Sequence, residues 1–175
     1  MIDMIKLLRN RRSIRKYTDK SIELEKIEIL REAVLRSPSS RNIDPWEFIF
    51  IDDRELLKKL ACCKPHGARF LEHAALGIVI CADGKKSDVW IEDCSIASIL
   101  VQMVAQSMDL GSCWIQIRKR MYDDKITSED YIRALLNVPS HVKIESIISI
   151  GYPAENREPL PRHELKDGKV RYNRY

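Results

Sequence analysis

The longest helical pattern in the chain runs from Val89 to Met108, with Ile96, Ile99, Leu100, Met103 and Val104 on one broad apolar face and Gly111 placed to stop it. Short β-prone runs stand on either side. Ala75–Ala82, with Ile78, Val79 and Ile80 in succession, reads as a strand buried on both faces, and Ser112–Ile117 reads as another. A helix this apolar between two such strands finds cover most directly by lying across a sheet, so the chain points to a sheet flanked by helices.

The remaining segments extend that plan. Asp3 caps a short helix ending near Asn10, and Ser21 opens a second with Leu24, Ile27, Leu30 and Val34 on one stripe, stopping at Ser37-Pro38. Trp46–Ile51 reads as a strand, Leu56, Leu57 and Leu60 mark a short helix, Ser128–Leu136 a helix ended by Pro139, and Lys143–Ile150 a fourth strand. Cys113 and Trp114 read as strand residues packed into the core. With 175 residues and no internal repeat, 1–175 is expected to be one domain. Beyond Gly151 the prolines and charges multiply, and 152–175 reads as an extended tail that lies on a partner subunit or on its own, its VRYNRY ending able to add a strand to a sheet.

Several function classes recede. No apolar run approaches the roughly 20 residues that span a bilayer, and the opening residues lack the charge order of a secretory signal, so no membrane and a cytoplasmic location are expected. Five cysteines without a CxxC pair suggest reduced thiols, and CCKPH offers only an incomplete ligand set, so no metal is expected. A formal charge of +4, without interleaved aromatics, argues against a nucleic-acid partner. None of the four histidines has a metal spacing or a serine partner, and none is given a catalytic role.

The positive charge is local. From Lys6 to Lys20 there are seven basic residues against Asp19, and RRSIRKY sets Arg11, Arg12, Arg15 and Lys16 around Ser13. Guanidinium forks and a hydroxyl suit a compact anion such as a phosphate; taken by itself the stretch reads more readily as an ordinary solvated face, as charge runs commonly do. Ser39, Ser40 and Asn42 in SPSSRN can donate and accept around a heterocycle, or cap and turn the chain. Gly111-Ser112 is a helix stop that also sets backbone N–H groups where a ligand can approach. Tyr17, Tyr172 and Tyr175 read as ligand, interface or surface-edge aromatics.

In order along nearly the whole chain, RRSIRKY, SPSSRNIDPWEF, LGSCW and GYPAE with a basic tail resemble the nitroreductase-like family of flavoproteins. The resemblance implies an α+β, three-layer fold with a central, mostly antiparallel sheet flanked by helices, in a homodimer that exchanges strand or tail segments and binds FMN at its interface. It implies that Arg11, Arg12, Ser13 and Arg15 hold the phosphate and the adjoining ribityl and pyrimidine edge, that Arg162 joins them from the tail, that Pro38, Ser39, Ser40 and Asn42 of the other subunit line the isoalloxazine ring, and that Gly111 and Ser112 offer backbone contacts near its reactive edge. NADH or NADPH would supply hydride to flavin N5, and a small-molecule electron acceptor, nitroaromatic or quinone, would take it in ping-pong fashion, with no protein side chain as catalyst. A specialised flavin reaction such as flavin cleavage or dehalogenation, or FMN storage without turnover, shares the same motifs. Departures from the family pattern are Asp44 where glutamine is usual, Leu160 where a basic residue is frequent, no clear asparagine around His66–Arg69, and no inserted helical excursion over the ring.

Overall fold

A computed structural model of the protein describes residues 3–175. Its elements are α1 (Met4–Asn10), α2 (Leu24–Leu35), β1 (Trp46–Ile51), α3 (Arg54–Leu60), β2 (Leu76–Asp83), α4 (Trp90–Ser107), β3 (Gly111–Gln116), α5 (Ser128–Leu136) and β4 (Val142–Gly151). The four strands form one sheet in the order β1-β2-β4-β3, and every pairing is antiparallel.

The sheet separates two apolar layers, and the period of β2 decides which residue enters which. Leu76, Ile78, Ile80 and Ala82 face Leu30 and Val34 of α2 and Cys94, Val101 and Ala105 of α4. Val79 and Cys81 point the other way, to Leu57 and Leu60 of α3, to Leu71 in the 3₁₀ turn Arg69–His73, and to Ile132 of α5. Each large side chain so buried contributes about 1.5 to 3 kcal/mol relative to exposure.

A bulge adjusts this alternation. Ile80 pairs with Ser146 while Cys81 pairs with Ile144, so Glu145 is left over on β4. The parity of β4 flips there: Val142 and Ile144 join the α3 and α5 layer before the bulge, and Ile147 joins the same layer after it. Without the extra residue, one half of this strand would turn its isoleucines away from their layer.

Local details depart from expectation in three places. The second helix begins at Leu24, not Ser21, because Ile22 is buried in the α2–α4 layer and the Glu23 carboxylate is engaged by the Tyr152 hydroxyl and Lys20. Tyr17 is a core residue, 8% exposed, not an interface or edge aromatic. The tail forms two short 3₁₀ turns at Arg162–Glu164 and Asp167–Lys169, and among the described residues its VRYNRY end adds no strand to the chain's own sheet.

Candidate functional site

Two glycines open the site. Gly111 and Gly151 face one another across the end of β3 and β4. A Cβ on Gly111 would lie 2.8 Å from Ile14 Cβ, and one on Gly151 would lie 2.9 Å from Tyr17 Cδ1. Their bare backbones let the segment 11–17 cross closely over the sheet end, with Ile14 and Tyr17 set onto the space that side chains would fill.

Hydrogen bonds fix the crossing. Ile14 N donates to Ser112 O at 3.0 Å, and Ser13 bridges Ser112 as a short parallel strand pair. Thr18 N donates to Tyr152 O and Ala154 N to Lys16 O, each at 2.9 Å. The Tyr17 hydroxyl donates to Ile14 O at 2.7 Å and shares a 2.8 Å bond with Ser149 Oγ, and burial raises its pKa well above the ordinary value. Glu155, from GYPAE, accepts the N–H groups of Arg15 and Lys16 on Oε1 and the Arg157 guanidinium on Oε2 at 3.0 Å.

The hydrophobic residues of RRSIRKY thus turn inward and its cations stay outside. Arg11, Arg12 and Ser13 are half-buried, and Arg15 is exposed with its guanidinium 5.8 Å from the Phe70 ring centre. Burial pushes the thiol of Cys113, on edge strand β3, up, while Arg15, Ser13, Arg11 and Lys64 pull it back. Lys64 donates to Gln116 O at 3.0 Å, and burial holds its ammonium below the ordinary lysine value. Ser112 is buried and its hydroxyl faces Gln102 of α4 at 3.5 Å, so Gly111 and Ser112 serve the arginine segment from behind.

The tail returns to this region. Arg12 donates to Glu158 O, which leaves most of its five guanidinium donors for other partners. Arg162 lines a cleft with Ile5, Leu8 and Asn10 of α1 and pairs with Asp167 at 3.2 Å.

Residues 38–44 lie elsewhere. Ser40 N donates at 2.9 Å to the buried carboxylate of Asp93 in the first turn of α4, and Arg41 pairs with Asp88. Asp93 and Gln102 are separated by about 14 Å of helix rise. One chain therefore gathers Arg11, Arg12, Ser13 and Arg15 but does not bring Pro38, Ser39, Ser40 and Asn42 to them.

The donor set fits a phosphorylated heterocycle: planar guanidinium forks, a hydroxyl, a partly desolvated ammonium, and an edge strand cleared by Gly111. Among the described residues no three His, Cys, Asp or Glu side chains stand together as a metal site requires, and no helix is long and apolar enough to cross a membrane. Glu155 and Lys64, which the fold brings beside the arginine segment and β3, carry no site signal in the sequence. Lys64 lies inside CCKPH, whose cysteines and histidine carry the metal-like signal of that stretch, and Glu155 lies in the motif GYPAE that carries the family resemblance.

A model of the nitroreductase family matches residues 8–75 and 63–152. An FMN-dependent nitroreductase from Clostridium difficile R20291 superposes with a TM-score of 0.96 at 48% identity, covering 98% of this chain and 99% of that one. A protein of Archaeoglobus fulgidus with the provisional name NADH dehydrogenase/NAD(P)H nitroreductase is 35% identical over 90% of both chains. FMN reductase (NAD(P)H) of Bacillus subtilis is 28% identical over 93% of this chain and 70% of its own.

Proposed function

This chain belongs to the nitroreductase family, and from that premise we propose that it is a homodimeric, FMN-dependent NAD(P)H oxidoreductase that reduces small nitroaromatic or quinone acceptors. The observation that carries the reading is the crossing of the arginine segment over edge strand β3, where Gly111 clears the space for Ile14, Ile14 N bonds Ser112 O and Ser13 bridges Ser112. FMN, when bound, would supply the hydride-transfer chemistry between the nicotinamide donor and the acceptor at one shared site.

The chain's own residues bind and orient. Arg11, Arg12 and Ser13 hold the phosphate and ribityl chain, with Arg162 joining from the tail. Arg15 and Lys64 set fixed positive charge where negative charge gathers on reduction, and partial desolvation strengthens that effect. Gly111 and Ser112 keep the arginine segment close to β3.

A second copy completes the site. The segment Pro38, Ser39, Ser40 and Asn42 sits at the far end of α4 from its own chain's cations, so the partner supplies it to line the ring. Exposed Met4, Ile5 and Leu8 on α1 and Ile96 and Ile99 on α4 support an apolar interface, and the coreless tail supports exchange across it.

The purified protein is expected to be yellow, to bleach anaerobically with NADH or NADPH, and to recover its colour on addition of a nitroaromatic or quinone. Protein that is colourless and leaves the fluorescence of added FMN unchanged overturns the reading.

A further inference from the structure

The loop from Ser39 to Asp44 is held by two carboxylates. Ser39 Oγ donates to Asp44 Oδ1 at 2.6 Å and in return accepts the Asp44 N–H at 2.9 Å, so the single hydroxyl proton of Ser39 is engaged. Ser40 N is tied to Asp93 Oδ1 at 2.9 Å, and Asp93, only 2% exposed, has Ser87 Oγ 3.4 Å from its other oxygen. Among the described residues, neither the Ser40 hydroxyl nor the Asn42 side-chain amide has a hydrogen-bond partner in the chain.

The backbone between these anchors is unusual. Arg41, Asn42 and Asp44 have φ of 54°, 56° and 49°, three left-handed residues within four positions and none of them glycine. Such conformations persist where the surroundings over-determine them, and they gather at sites that hold a ligand. Here the over-determination comes from Asp44 closing on Ser39 and from Asp93 on Ser40.

We propose that Asp44 is a positioning residue of the flavin site: its clamp on Ser39 fixes a loop that presents Ser40 Oγ and the Asn42 amide, and not the Ser39 hydroxyl, to the ring. The inference rests on the flavin reading given above. It also gives the carboxylate at position 44 a task, since both its backbone N–H and its side chain close the loop on one hydroxyl. Asp44 acts through Ser39 and touches no substrate.

The test titrates FMN into the flavin-stripped full chain, followed by flavin fluorescence and by the visible circular dichroism of the bound cofactor. Asp44→Asn keeps an acceptor for Ser39 and tolerates positive φ, so it should bind within about threefold of wild type. Asp44→Gly accepts the backbone angle and keeps the N–H bond to Ser39 but loses the carboxylate half of the clamp, and it should weaken FMN about tenfold; Ser39→Ala, which loses both halves, should weaken it at least as much. Both should change the visible dichroism of bound flavin while leaving the far-ultraviolet spectrum and melting temperature of the stripped protein in place. The double variant should equal Ser39→Ala alone, because without the Ser39 hydroxyl the Asp44 carboxylate has no partner left to lose.

Asp44→Gly binding like wild type would overturn the proposal, since backbone strain alone would then be the issue. Additive losses in the double variant would also overturn it, because Ser39 would then bond the ring independently. Failure of the wild type to bind FMN overturns the flavin reading itself, whereas a wild type that binds beside an equally tight Asp44→Gly overturns this inference alone.

Discussion

The carboxylate of Glu155 accepts the main-chain N–H of Arg15 at 2.6 Å, across 140 positions of sequence, and that of Lys16 at 3.2 Å. An acid thus stands inside the most basic segment, bonding backbone and leaving the Arg15 side chain free. The Arg15 N–H is the largest influence holding the Glu155 carboxyl below its ordinary value of 4.5, ahead of Arg157 and the Lys16 N–H.

Glu155→Ala should release the 15–16 backbone and weaken FMN binding about tenfold, the scale of a hydrogen bond to a charged group. The sign of the pH effect follows from the depressed carboxyl. Its contribution to stability is fully present above the ordinary value of 4.5 and is lost as pH falls through the lower folded value. Melting temperatures recorded between about pH 3 and pH 6 should therefore fall more steeply in wild type than in Glu155→Gln, which titrates nothing at this position. Parallel acid limbs would contradict the assignment.

Gly111→Ala should be costly because the new Cβ would meet Ile14 Cβ and Cγ2 at 2.8 Å, and neither atom is the far end of a flexible chain. We expect a loss of about 1 to 3 kcal/mol in urea unfolding, the usual scale of overpacking, together with weakened FMN binding as the 11–17 segment lifts from β3. Gly168→Ala serves as the control, since nothing lies within 4 Å of its added Cβ. Equal stability of the two variants would sink the packing account.

Much of the scaffold was legible because it is periodic. The alternation of β2 and the apolar face of α4 are carried by the residues themselves, and Ser128–Leu136 is helical over the span read from sequence. Its stop, however, is Asn137 in the left-handed conformation, two residues before Pro139. The Glu145 bulge left no mark, because KIESIISI reads as an even strand and only the pairing with β2 shows which residue is surplus. At the site, the cations of RRSIRKY were visible as composition. The Glu155 clamp and the approach of Lys64 to Gln116 were not, since each depends on segments distant in sequence meeting in the fold.

Arg12→Ala and Arg162→Ala test the phosphate assignment from its two ends. Each is expected to weaken FMN about 10- to 100-fold, the range for charged hydrogen bonds, and to reduce the salt dependence of binding. Arg12 retains guanidinium donors beyond its bond to Glu158 O, and Arg162 must exchange its Asp167 partner for the ligand. Unchanged affinity in both variants would remove the phosphate from this cluster.

The last test couples assembly to the cofactor. Ile99 is 40% exposed on α4 beside Ile96, on the helix whose first turn anchors the 38–44 loop through Asp93. Ile99→Glu should leave the monomer folded, because a carboxylate there meets solvent in a single chain. In a dimer the same charge would be buried without a partner, at a cost of several kcal/mol. Light scattering should give twice the chain mass for wild type and the single mass for the variant at micromolar concentration. Because Pro38, Ser39, Ser40 and Asn42 would then be missing from the other chain's arginine cluster, FMN affinity should fall at least tenfold, and a variant that is monomeric yet binds FMN as wild type does would show that one chain suffices.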